Sequence, residues 1–436
     1  MSLPKQCLYT NKINSSYAKN YNAAIAPVNG TSYSLGETII INIPTGYNTV
    51  SSAKDSILKF NLNLRGGATL PTSCNFNRCG AFGLIQRLRI FHGSVLLSDI
   101  DNYSCLMEML LNAQLSGDIM GGKMEIMAGC GPYIGTSLLN DATQPNRPIL
   151  VINTDVSFPF AIPLMSILSL SNNYVPLFAL TGSPLRIEIQ LVSNIQTFLI
   201  CDANYPTTAT IRSVIDQVEY VANMMELSDS GMAMVKSAIG DGPVNWVVQD
   251  YRNYAFNSTL KQTETTLSVP IPAKFNSINS LFMAFRLQTN TSGAVTFSAT
   301  ESCQFSLTDY FFRIGSRTVP TKPPSTIPEF FTEFLRAIGS ATDINHECNL
   351  RLSQYAQPIP TASDITTACF YLGIDLESYS STPLDTVYSG LNTSTDDIFA
   401  NLRFLAQAAD RNVRIDTYAL YDVLINIENG QCQTFY

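Results

Sequence analysis

Charge is scarce in this chain of 436 residues: Asp, Glu, Lys and Arg together make up 14% of it, against about a quarter in an average soluble protein. The 26 Lys and Arg are outnumbered by 34 Asp and Glu, for a net charge of -8, and no basic tail is present. Binding nucleic acid through its phosphates needs a dense Lys/Arg face, so direct nucleic-acid binding is excluded as the main task. A surface this poor in charge is one that partners cover. Histidine is rarer still, with only His92 and His346, far apart in sequence. A metal site of the kind built on β-barrels needs several His and a Glu converging, so no metal site and no cofactor are expected. The same shortage, with no Gly-x-Ser-x-Gly, excludes a Ser-His-Asp triad. The ten cysteines contain no Cys-x-x-Cys pair and read as buried thiols rather than a disulfide or zinc framework.

Long apolar runs are missing too. The start, MSLPKQCLYTNKINSSYAKN, has no apolar segment of a secretory signal. The most apolar neighbourhood, FPFAIPLMSILSL (Phe158–Leu170), is too short to cross a bilayer and holds two prolines. No membrane insertion is expected, and the chain reads as made in a reducing compartment. Without a secretory signal, the six Asn-x-Ser/Thr sequons at Asn14, Asn29, Asn102, Asn257, Asn290 and Asn392 read as turn composition.

What is present is period-two alternation. In Leu58–Arg65, Leu185–Leu191 and Tyr421–Glu428 apolar and polar residues alternate, with Leu424 the exception. Such runs are half-buried strands of antiparallel sheets. They are punctuated by 22 Pro and 24 Gly, as in sandwiches and barrels. Helical spacing is confined to Leu106, Met109, Leu110 and Ala113, to Phe330, Phe334, Ala337 and Ile338, and to a third possible helix over Asp396–Ala409. The second of these is announced by Thr326-Ile-Pro-Glu329, a capping box with proline in the first turn.

The chain also repeats itself. RIFHGSVLLSDIDNYSCLMEML (Arg89–Leu110) and RIGSRTVPTKPPSTIPEFFTEFL (Arg313–Leu335) share a strand-like lead-in, a Gly-Ser turn, a short strand and a helical run. Four pairs of segments match in the same order: 59–64 with 284–289, 92–94 with 314–316, 158–166 with 370–378, and 185–191 with 421–427. A spacing this long implies two whole domains of one fold, each with its own core. The expected architecture is all-β: two tandem eight-stranded jelly rolls with a few short helices in loops. Residues 1–30 precede them as an arm or a plain terminus, 31–245 form the first roll and 246–436 the second. Trp246, at the seam, packs one roll on the other or sits in an ordinary core.

Catalytic groups are hard to find. Gly117-Asp-Ile-Met-Gly-Gly-Lys123-Met124 has P-loop spacing up to its last position, where a magnesium-binding Ser or Thr is replaced by Met124, so it reads as a flexible loop. Glycosidases use paired carboxylates; Asp99 with Asp101, Asp396 with Asp397, and Glu329 with Glu333 are pairs in sequence, while Asp and Glu beside Ser, Gly and Asn are usually turn and cap residues. No catalytic, cofactor or metal residue is assigned. The readings left open are a structural protein working by self-association, a two-roll glycan hydrolase and a lectin-like binding module.

The string Gly83–Ser94 (GLIQRLRIFHGS), followed by Asp99-Ile-Asp-Asn-Tyr103 and a helix, resembles the first roll of double jelly-roll major capsid proteins. So do Ile162-Pro-Leu164, Val175-Pro-Leu177, Pro184–Glu188, Ser389–Asn392 and Asn429-Gly430. The resemblance runs from about Tyr33 to the end and is nearest to virophages, polinton-like viruses and related large DNA viruses of eukaryotes. It implies a structural protein rather than an enzyme, forming homotrimers of near-sixfold outline that tile an icosahedral capsid. Its partners would be itself, neighbouring capsomers, and penton and minor capsid proteins. It would reside in the virion after synthesis in the host cytoplasm or a virus factory.

Overall fold

The computed structural model describes residues 18–46, 48–66, 74–130, 154–170, 173–201, 211–240, 242–288, 299–339, 347–358, 368–378 and 389–436. Along the first half run β1 (Ala18–Ile25), β2 (Ser32–Ser34), β3 (Thr38–Ile43), β4 (Thr49–Arg65), β5 (Cys74–Phe76), β6 (Ile85–His92) and β7 (Val95–Asp101). Helix α1 (Tyr103–Gln114) and a helical stretch over 117–128 follow, then β8 (Asp155–Ile162), β9 (Leu185–Leu191), β10 (Leu199–Cys201) and β11 (Arg212–Leu227). Helix α2 (Asp229–Ile239) leads to β12 (Val244–Leu260), β13 (Thr265–Ile271), β14 (Ile278–Leu287), β15 (Leu307–Ile314) and β16 (Arg317–Val319). Last come α3 (Ile327–Ile338), β17 (Tyr371–Asp375), β18 (Ile398–Phe404), β19 (Arg411–Glu428) and β20 (Gln431–Phe435).

Pairing is antiparallel among these strands. The first half holds a sheet ordered β1-β11-β4-β8, with β2 also on β11, and a sheet ordered β3-β9-β6-β7; β5 and β10 make a separate pair. The second half holds β12-β19-β14-β17, with β20 also on β19, and β13-β18-β15-β16. Taken in chain order, β12 to β19 fill the same places as β1, β3, β4, β6, β7, β8, β9 and β11 of the first half. The topology is jelly-roll-like, and local sequence explains why it forms. Along β9 the burial alternates without a break, Leu185, Ile187, Ile189 and Leu191 inward and Arg186, Glu188 and Gln190 outward. That alternation matches the pleat, so a one-residue slip would expose four apolar side chains.

The repeated Gly-Ser phrase is the same hairpin twice. His92 pairs with Val95 and Ile314 with Arg317, leaving two-residue loops, Gly93-Ser94 and Gly315-Ser316. Gly93 and Gly315 have φ of 59° and 56°, the left-handed backbone that a first hairpin position demands and a side chain resists. The capping box also forms: Thr326 accepts from the Glu329 amide at 3.4 Å, and Glu329 accepts from the Thr326 amide at 3.1 Å.

Several expectations are corrected. The run Asp396–Ala409 is not a helix: its centre is β18, with Ile398, Ala400, Leu402 and Phe404 buried and Phe399, Asn401 and Arg403 outward. The alternation there is weak in sequence because Phe399 is apolar on the outer face. This displaces the fourth repeat match. Segment 185–191 is β9, whose counterpart by sheet position is β18, whereas 421–427 lies in β19, the counterpart of β11. Residues 117–128 are helical, with Met120 and Met124 buried, rather than a loop. Residues 18–25 of the expected arm form β1 on the edge of a sheet, paired with β11. Trp246, for which two packings were left open, is buried within β12, opposite Ile425, which contradicts neither.

Separate cores were expected, but the buried apolar residues form one connected cluster through both halves. Helix α1 is the reason. Tyr103 through Ala113 are all buried, so the helix has no solvent face and is enclosed between the halves.

Candidate functional site: the seam between the two halves

Where the halves meet, the chain buries polar and charged side chains in three clusters. The first is built at the junction of β7 and α1, where Asn102 adopts φ 49°, a left-handed backbone that Asn tolerates better than most residues. Its side chain donates to Asp416 Oδ1 at 3.2 Å and accepts from Arg286 Nη2 at 3.3 Å, while Tyr418 OH donates to its carbonyl at 2.9 Å. Arg286 Nε donates to Asp416 Oδ2 at 2.7 Å and Arg414 Nε to Oδ1 at 3.1 Å. Asp416 is wholly buried and Arg286 nearly so. Burial works against the Arg286 charge, but Asp416 outweighs it and raises the guanidinium above its usual value.

The second cluster centres on Asp250 of β12. It accepts from Ser98 of β7 at 2.8 Å and from Tyr421 of β19 at 3.0 Å. Burial pushes this carboxyl up to about 7, against the two hydrogen bonds and Arg252, which favour the charged form. The third surrounds α1. Asn77 donates to Thr300 Oγ1 at 2.5 Å and to Glu108 Oε2 at 3.3 Å; Thr300 in turn donates to Glu108. Arg78 reaches Cys369 Sγ at 2.8 Å, the Ala368 amide donates to Glu301 at 2.6 Å, and the Asn349 amide donates to the Asn112 carbonyl at 2.9 Å. Burial raises Glu108, and raises Glu301 to about 8.

Every cluster pairs residues more than a hundred positions apart. Inside a low-dielectric seam each hydrogen bond is strong and each unpaired group costly, so these pairings fix how the halves dock. The arrangement is suited to rigidity. Asp250, Glu108 and Glu301 are enclosed, at 0, 1 and 3% exposure, so no substrate touches them.

The residues weighed from sequence lie elsewhere. His92 is buried at the end of β6, its imidazole pushed below its usual value by burial; His346 lies outside the described residues. Asp99 is held by Arg87 at 2.6 Å, and Asp101 accepts from Gln86 at 3.4 Å. Asp397 pairs with Lys274 at 2.8 Å, Asp396 lies beside Gly315, Glu329 closes the capping box and Glu333 pairs with Arg336. These carboxylates do not converge on one cleft. Among the described residues no group of His, Cys, Asp and Glu is arranged to hold a metal ion, and no helix is long and apolar enough to cross a membrane. Cys79, Cys105, Cys130, Cys303, Cys369 and Cys432 are buried. Of the sequons, Asn102 is buried, Asn29 bonds the Thr38 carbonyl at 2.6 Å and Asn392 caps a turn at Ser394; Asn257 is exposed on β12, and Asn14 and Asn290 lie outside the described residues. Sequence reading missed the seam, although single charges inside apolar runs mark it: Glu108 in CLMEMLL and Arg286 in LFMAFRL.

No family model matches the chain, and no curated protein matches it. Solved structures do. A chain of the PBCV-1 virus capsid is similar with a TM-score of 0.62 at 11% identity, covering 98% of both chains. The Faustovirus major capsid protein is similar with a TM-score of 0.60 at 10% identity, covering 97% of this chain and 92% of that one. The mavirus major capsid protein gives 0.56 at 10% identity, covering 100% and 96%. At such identities the likeness concerns architecture, and the fold of this chain is that of the jelly-roll major capsid proteins of viruses.

Proposed function

We propose that this chain is a viral major capsid protein, folded as two tandem jelly rolls: the first, expected over 31–245, also takes in β1, and the second, expected over 246–436, begins with β12 at Val244. Three copies would form a homotrimer of near-sixfold outline, and such capsomers would tile an icosahedral shell. The observation that carries the reading is the identity of strand order in the two halves, in a chain whose likeness to capsid proteins extends over nearly its whole length. Two similar blocks per chain place six around a threefold axis, which is what a hexagonal lattice needs. Closed symmetry within the capsomer then meets weaker contacts between capsomers. The low charge suits surfaces that partners cover, and the acidic balance suits a wall that does not itself condense a genome.

On this reading the chain acts in the virion by self-association, not as an enzyme. It is made in the host cytoplasm or a virus factory, and pentons and minor capsid proteins are its other partners. Solution mass tests it. A particle near three times 47.9 kDa is expected, with hexagonal arrays in electron micrographs at high concentration. A monomer at every concentration, above all one that binds or cleaves glycans, overturns it.

A further inference from the structure

Strand β20 stands outside the repeat. Each of β12 to β19 has a counterpart in the first half, and β20 has none; where β11 runs on into α2, its counterpart β19 turns back on itself. The turn is Asn429-Gly430, with Glu428 opposite Gln431. Both turn residues take positive φ, 52° and 76°, the form that a two-residue hairpin favours. β20 then lies along Leu424–Glu428 of β19.

Both ends of this hairpin touch the first half. At the tip, the Gly182 amide, in the segment that leads into β9, donates to the Gly430 carbonyl at 3.0 Å. Neither glycine has room for a side chain. A Cβ on Gly182 would stand 2.5 Å from the Gly430 carbonyl oxygen, and one on Gly430 would stand 2.6 Å from Thr181 Oγ1. Beyond the strand, Tyr436 OH donates to the Leu96 carbonyl of β7 at 3.2 Å. The Tyr436 ring meets Phe275 and Tyr421 edge-on, with centroids 6.2 and 6.0 Å away, and those two rings stack at 3.8 Å. Tyr421 in turn donates to Asp250, so the hairpin abuts the second polar cluster of the seam.

We propose that Asn429–Tyr436 is a strap across the seam. It holds β7 and the lead into β9 against the second half, and when it lifts, the seam opens locally while the sheets of both halves stay paired. Two observations separate a strap from a strand that only widens its own sheet. Beyond β19, its hydrogen bonds run to Gly182 and Leu96, both in the first half. And within β20 only Cys432 is buried, while Gln431, Gln433 and Phe435 are exposed. Segments with so few buried contacts open at a lower free energy than the whole chain. The strap acts within one chain, so it stands whether or not chains assemble.

Hydrogen exchange on the full chain, followed peptide by peptide, tests this. Gly182→Ala drives a Cβ into the Gly430 carbonyl from the first-half side and leaves β20 itself unaltered. Exchange in 95–114, which holds β7 and α1, and in 431–436 is expected to quicken about fivefold, the factor that one ordinary hydrogen bond corresponds to. Residues 58–64 of β4 and 398–404 of β18 are expected to keep their rates. Tyr436→Phe deletes only the hydroxyl on Leu96 and should give the same pattern; it carries the test alone if Gly182→Ala does not fold. Unchanged exchange in 95–114, or a rise shared equally by 58–64 and 398–404, overturns the strap.

Discussion

Asp250→Asn tests the seam through its pH dependence. The carboxyl titrates near 7 in the folded chain, against 3.8 for an ordinary aspartate. A raised acid is protonated in the folded chain while the unfolded chain has already released its proton. Stability therefore falls as pH rises from about 4 to about 7, and is level above that. A gap of roughly three pKa units corresponds to about 4 kcal/mol across that window. The amide introduced by the substitution would be neutral at every pH and nearly the same shape, and both hydroxyls facing it, from Ser98 and Tyr421, can turn to accept or donate. The variant should match the parent near pH 4 and exceed it near pH 8 by up to about 4 kcal/mol. Denaturant unfolding of both proteins from pH 4 to 8 reads the difference, in which the other raised carboxyls, Glu108 and Glu301, cancel because both proteins carry them. Equal pH slopes in the two proteins, or a variant less stable at pH 8, would refute the reasoning.

Other perturbations test separate parts of the fold. Asn102→Ala leaves Arg286 and Asp416 short of a partner and puts alanine in a left-handed backbone; a loss of about 2–3 kcal/mol is expected in thermal unfolding. Gly373→Ala places a Cβ 2.9 Å from that of Ala337 and 3.0 Å from Cα of Phe334, so α3 must lift, with a loss of about 1–3 kcal/mol and faster proteolysis around 327–338. Gly315→Ala combines φ 56° with a Cβ 2.9 Å from Asp396; a lowered melting temperature is expected, and an unchanged one would argue against the tight hairpin. Thr326→Ala removes the cap of α3 and should lower stability by about 1 kcal/mol, visible in the same melts.

What was legible from sequence is what neighbours along the chain decide. Alternation in Leu58–Arg65 and Leu185–Leu191 marks β4 and β9 because a pleated strand sends successive side chains to opposite faces. Gly93-Ser94 and Gly315-Ser316 mark hairpins because only glycine takes their first position without strain. Thr326 and Glu329 mark the start of α3 because both groups of the capping box lie within four residues. Where both faces of a strand are buried the signal fades. Ile278–Arg286 of β14 is buried on both sides, and β18, with Phe399 outward, imitates a helix and upset the fourth repeat match.

Tertiary structure alone decided the seam. Nothing local tells Asn102 to meet Asp416, Ser98 to meet Asp250, or Asn77 to meet Thr300, since each partner is more than a hundred residues away. Nor does the apolar run of α1 say what will enclose it. Side-chain periodicity is an intrachain property set by backbone geometry, whereas the burial of a charge depends on which distant surface arrives to satisfy it. The sequence by itself therefore determined the strands, the turns and the doubling, and the folded chain determined how the two halves are joined.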